Sequence, residues 1–169
     1  VWGYQKARLL IWTGFAMNFF VVMLGLIAVA LPAAPFWDGA PHFNFVFGMA
    51  PRIVAASLTA FLVGSFLNAY VMSRMKVASG GRHFSARAIW STVVGETADS
   101  LIFFPVAFGG IIAWQELLLM MCTQIVLKSM YEVIILPVTI RVVKAIKRID
   151  GSDVYDEGIS YKVWKISEI

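Results

Sequence analysis

Apolar residues gather into four long blocks along this chain, at about 7–31, 51–73, 87–113 and 115–140. The stretches between and after them carry most of the charges. Each block reaches the ~20 helical residues that a ~30 Å hydrocarbon core needs at 1.5 Å per residue. Ten-residue segments of strict alternation, the mark of a membrane barrel, do not occur. Backbone groups in hydrocarbon must bond within their own segment, so the blocks are expected as helices. The pattern predicts an all-α, polytopic membrane helix bundle over residues 1–149, with four transmembrane helices. A tail over 150–169, alternating polar and apolar residues, follows at the cytoplasmic surface.

Two blocks are apolar but not uniformly so. The third contains STVVGETADSLIFF at 91–104. Glu96 and Asp99 are three residues apart and share a helical face. Thr92 and Phe103 extend that face, while Ser91, Gly95 and Ser100 allow close helix approach. In the fourth block Gln124, Lys128 and Glu132 recur every four residues as one polar stripe. A charge at the centre of a membrane helix costs about 2.5–3.5 kcal/mol on insertion scales, so both stripes are expected to face inward. Block midpoints near Ser100 and Lys128 put Asp99 and Lys128 within ~2 Å of the midplane. An Asp99–Lys128 pair is therefore expected, with Glu96 and Glu132 as a second polar layer. The plainer alternative is an internal ion-pair network that only holds helices together.

Smaller features adjoin these stripes. Pro105 and Pro137 leave the carbonyls of Leu101 and Val133 without their helical donors, either as an interrupted helix whose free carbonyls bind substrate or water, or as a simple kink near the membrane surface, the reading preferred for Pro137. The second block adds Ser57, Ser65, Asn68 and Tyr70, and opens on Arg52, which is expected to snorkel at the interface. The candidate substrate-binding residues are Glu96, Asp99, Lys128, Glu132, Gln124, Asn68, Ser91 and Phe103. The aromatic, Pro- and Gly-rich loop at 32–50 is read as interfacial packing, or as a lid over a site.

Composition sharpens the class. The 169 residues are 60% hydrophobic and 14% charged, with mean hydropathy +0.78. Soluble domains run at about 45–50% and about 25%. Of fourteen Lys and Arg, all but Arg52 and Lys128 fall on one side if the helices alternate. The positive-inside rule makes that side, and the C-terminus, cytoplasmic, in a cell inner membrane. This topology accounts for the net charge of +4, and a nucleic-acid partner is not expected. Arg141, Lys144 and Arg148 on one face could meet anionic lipid or simply anchor the helix. His42, His83 and the single Cys122 lack metal-ligand spacing, and no metal or cofactor is expected. No nucleophile has a base nearby, so no enzyme and no catalytic residue is expected.

Four stretches resemble the queuosine precursor transporter family, also called the vitamin uptake transporter family. They are VWGYQKARLLIW, PRIVAASLTAF, STVVGETADSLIFFPVAFGG and LKSMYEVIILP, in that order. The resemblance implies a fold of about six helices, so two N-terminal helices are expected before Val1. It implies uptake of 7-cyano- or 7-aminomethyl-7-deazaguanine, a purine-like solute. Glu96 stands where the family usually has an amide, and Asn68 where it commonly has Asp. The alternative function is a substrate-binding membrane subunit for a vitamin or nucleobase, energised by a partner ATPase. Expected associations are the lipid bilayer and either a homo-oligomer or such a partner.

Overall fold

The computed structural model describes residues 1–48 and 51–165, and the described residues are all-helical apart from loops and turns. Five helices follow one another: α1 (Gly3–Ala30), α2 (Ala40–Phe47), α3 (Pro51–Ala78), α4 (Phe84–Phe108) and α5 (Trp114–Asp150). Local chemistry sets their ends. α1 stops at Leu31, held extended (φ −76°, ψ 141°) by the following Pro32. α3 opens on Pro51, whose missing N–H would have had no partner in a first turn. α5 ends on Gly151 in the left-handed conformation (φ 67°), after Lys147 and Arg148 have placed cations at its negative end.

Two expectations change here. The third block was expected to run to residue 113, but α4 ends at Phe108, where Gly109 and Gly110 (φ 81°) turn the chain. An interrupted helix, one of the two readings of Pro105, does not appear, and both Pro105 and Pro137 lie inside continuous helices. Two helices, Gly3–Ala30 with mean hydropathy 2.1 and Pro51–Ala78 with 1.6, are long and apolar enough to cross a bilayer. That is fewer than the four spans expected. α4 and α5 have the length, but Glu96, Asp99, Lys128 and Glu132 lie within them.

The long helices pack in the order α1, α3, α4, α5. α3 and α4 share the most extensive interface, and α5 touches no helix but α4. Among the described residues α2 packs on α1 and on no other helix, so it does not lie over the polar residues of α4 and α5. Close approach of α3 to α4 follows from small residues. Ala56, Ala60 and Gly64, one turn apart, are buried on α3. A Cβ added to Gly64 would lie 2.9 Å from the Gly95 carbonyl oxygen, and one added to Gly95 would lie 2.9 Å from that of Gly64. The helices therefore cross at this glycine pair. Phe104, Leu117 and Met121 form an apolar cluster where α4 turns into α5.

At the opposite, basic end the tail does more than rest on the surface. Asp156 is 6% exposed and accepts from the Tyr4 backbone N–H through both oxygens, at 2.9 and 3.0 Å. It also accepts from the Ser73 hydroxyl at 2.5 Å. Asp153 pairs with Lys76 at 2.5 Å and Lys147 at 2.6 Å, joining α3 to α5. Arg8 Nη1 donates to the Lys162 carbonyl at 2.9 Å, and Trp12 Nε1 to that of Val163 at 3.0 Å. The tail is thus a clasp over α1, α3 and the end of α5.

Candidate functional site

The glycine crossing places the carboxylates. With no side chains at Gly64 and Gly95, Asp99 and Glu96 on α4 come against Ser65 and Asn68 on α3. Together these four residues line a cavity of about 250 Å³, with Phe61 on one wall and Lys128 reaching in from α5. Lys128 Nζ lies 2.6 Å from Glu96 Oε2 and 3.8 Å from Asp99 Oδ2. Gln124 Nε2 donates to Asp99 Oδ2 at 3.4 Å and to Ser100 Oγ at 3.3 Å. The Lys128 side chain is 46% exposed and both acids 25%. The cluster is a polar, partly open cleft.

The expected Asp99–Lys128 pair is present at 3.8 Å, but Glu96 lies closer to the ammonium, at 2.6 Å. Gln124 stands opposite Asp99 and Ser100, one turn from Lys128. The turn after Phe108, earlier than expected, sets this register between α4 and α5. Glu132, expected to meet Glu96, consequently lies a turn beyond the cluster. It makes no hydrogen bond or ion pair among the described residues and does not line the cavity.

Of the remaining expected residues, Asn68 lines the cavity directly. Gln124 reaches Asp99 but faces a separate apolar groove of about 490 Å³, which Lys128 also borders. Ser91 is 1% exposed and bonds back to the Ala88 carbonyl at 3.0 Å, so it serves helix packing. Phe103 joins the apolar cluster, with ring centroids 5.3 Å from Phe104 and 5.8 Å from Phe108. Phe61 is the aromatic wall that the sequence reading missed. It had no polar neighbour to single it out, although it lies three and four residues from Gly64 and Ser65 on the same face.

Arg52 also has a more definite place than the interface. Its Nη2 donates to the Gly109 carbonyl at 2.7 Å, and its Nε donates to that of Val106. These carbonyls belong to the C-terminal end of α4, which a guanidinium both satisfies and neutralises.

Among known proteins, a family described as "Putative vitamin uptake transporter" matches residues 1–142 of this chain. A relative from Bacillus subtilis (strain 168), named "Probable queuosine precursor transporter", is 32% identical over 118 residues. That alignment covers 65% of this chain and 48% of the relative, so the chain spans about half the length of the curated relative it matches. No solved structure matches. A match over five helices and the polar cluster, together with apolar helices of bilayer length, makes this a membrane protein of the vitamin uptake transporter family.

Proposed function

We propose that this chain imports a queuosine precursor, 7-cyano- or 7-aminomethyl-7-deazaguanine, across the inner membrane, and that the cleft between α3, α4 and α5 holds it. In this reading α4 and α5 span the bilayer alongside α1 and α3. The basic end, with the C-terminal tail, faces the cytoplasm. One observation carries the proposal: two carboxylates, an amide, a hydroxyl and an aromatic ring converge on one cavity of about 250 Å³. Drug-sized ligands occupy about 300–1,000 Å³, so this volume suits a smaller, bicyclic solute.

A 7-deazaguanine presents a ring N–H and an NH₂ side by side. One carboxylate accepts both through short, charge-assisted bonds. Asp99 is the freer acid, since Lys128 sits closer to Glu96. Asp99 then takes the N–H/NH₂ edge, Asn68 serves the solute's carbonyl, and Phe61 offers its ring for stacking. Lys128 offsets the charge of Glu96 and keeps it from competing for that edge.

The test is uptake of each radiolabelled precursor by cells lacking their own importer and expressing this protein. A hydrogen bond to a charged group is worth about 1.5–3 kcal/mol, so Asp99→Asn should lose about tenfold to a hundredfold in uptake. Normal membrane insertion of the variant completes the expected result. Unchanged uptake in Asp99→Asn, at equal expression, would remove the cleft from the pathway.

A further inference from the structure

A second concavity lies on the far side of α3 from the acids, and neither the cleft nor the family accounts for it. It encloses about 440 Å³ between α1, α3 and the tail. Its walls are aromatic and aliphatic: Tyr4 and Trp12 from α1, Phe66 and Tyr70 from α3, Tyr161 and Trp164 from the tail. The rings touch one another, with centroids 4.9 Å apart for both Tyr4–Tyr161 and Tyr70–Tyr161, and 5.9 Å for Trp12–Trp164. From Tyr4 to Trp12 the groove follows α1 for about 12 Å at 1.5 Å per residue. It runs from the basic end toward the middle of the helix, against an apolar stretch of α1 of which 0% is buried within the protein.

Two cations mark this groove. Arg74 is exposed, and its guanidinium carbon lies 5.9 Å over the Tyr161 ring that forms the wall. It has no carboxylate within ion-pair distance among the described residues. Arg8 is 0% exposed and lies on α1 midway between the two lining residues Tyr4 and Trp12. Its Nη1 is used by tail carbonyls, while Nε and Nη2 have no partner. A buried guanidinium with idle donors calls for an acceptor carrying negative charge. The nearby acid, Asp156, is already occupied by Tyr4 and Ser73.

An apolar groove with the exposed Arg74 beside its Tyr161 wall has the complementarity of one molecule class. We propose that it binds a single anionic phospholipid, one acyl chain lying along Trp12 and Phe66 and the phosphate at Arg74. Basic pockets between membrane helices recognise such headgroups, and aromatic rings settle at the same depth. The transport reading enters only through orientation, which makes the cytoplasmic leaflet the source. Lipid binding and precursor uptake can therefore fail separately.

The experiment is native mass spectrometry of the detergent-purified protein titrated with phosphatidylglycerol, or with phosphatidylcholine of identical chains. The first phosphatidylglycerol should bind at least tenfold more tightly than the first phosphatidylcholine. Arg74→Gln should erase that preference, and Arg74→Lys should retain most of it. Val63→Phe, which fills the groove, should weaken both lipids, while Leu101→Phe on the exposed face of α4 should change neither. Circular dichroism checks that each variant is folded. Equal affinities for the two lipids in the wild type would overturn the proposal. So would Val63→Phe binding like the wild type, or a lipid-free dimer occupying the groove.

Discussion

Removing the Asp156 carboxylate tests whether the tail is part of the fold or an appendage. α1 has no side chain capping its N-terminus and no acidic residue in its first turn. The acceptor it lacks comes from a residue 152 positions away, at 2.9 and 3.0 Å from the Tyr4 N–H. Loss of a helix N-cap costs about 0.5–2 kcal/mol. The Ser73 hydroxyl, 2.5 Å from the same carboxylate, would lose that bond as well, at about 0.5–1.5 kcal/mol, and keep only the Tyr161 hydroxyl at 3.0 Å. Asp156→Ala should therefore weaken docking of the tail on α1 by about 2 kcal/mol, roughly thirtyfold in the opening equilibrium at 1.4 kcal/mol per decade. Amide hydrogen exchange, read by mass spectrometry on peptides covering residues 1–12 and 152–165, reports that opening directly. Protection there should fall by about one and a half decades, with the α4–α5 junction unchanged. If α1 keeps its protection in Asp156→Ala, the cap assignment is wrong and α1 holds its first turn without the tail.

The other clasp residue gives a pH dependence. Burial alone would raise the Asp153 carboxyl, but hydrogen bonds from Lys147 and Lys76 and both their charges outweigh it and hold its pKa at about 2, below the ordinary 3.8. A depressed folded-state pKa stabilises the clasp above about pH 4, and the effect is lost as pH falls toward 2. Tail protection in hydrogen exchange should follow that window in the wild type and lose that acid step in Asp153→Asn. Gly95→Ala should separate α3 from α4, because the new Cβ would lie 2.8 Å from Asn68 Cβ and 2.9 Å from the Gly64 carbonyl oxygen. Overpacking of this kind costs about 1–3 kcal/mol, measurable as a lower thermal midpoint in detergent. Lys128→Met leaves Glu96 charged without its partner at 2.6 Å and should impair solute binding at least tenfold with little loss of helicity, read by isothermal titration with each deazaguanine.

The sequence made some of this legible and hid the rest for identifiable reasons. Helices were readable because hydrocarbon leaves the backbone few choices, and the block limits fall within a few residues of α1 and the start of α3. Glu96, Asp99 and Lys128 were readable because ionisable residues within apolar helices need one another. Their register was not, since it depends on where α4 stops, and that was decided by the Gly109–Gly110 turn rather than by hydropathy. Phe61 and the Gly64–Gly95 contact are properties of two helices together. A single sequence pattern shows only that small residues recur. The tail's role was the least visible, because an aspartate such as Asp156 looks solvated until the amide it caps is placed beside it.

The distribution of ties along α5 bears on how a cleft in this protein would open. At its start α5 is held by the apolar cluster of Leu117 and Met121 against Phe104, contacts that no single polar competitor can displace. Midway it is held by Lys128 on Glu96, and at its end by Lys147 on Asp153. Both pairs are partly exposed, and exposed ion pairs contribute about 0–1 kcal/mol. Resistance to separation from α4 is therefore greatest at the α4–α5 turn and smaller beyond it. The middle tie is the one whose two members also line the cavity. A solute that drew Lys128 away from Glu96 would loosen α5 at its middle, whereas one that engaged Asp99 alone would leave that tie in place. Under the proposed function, solute contact and helix separation would share the same ammonium, and binding at the cleft would be energetically coupled to movement of α5.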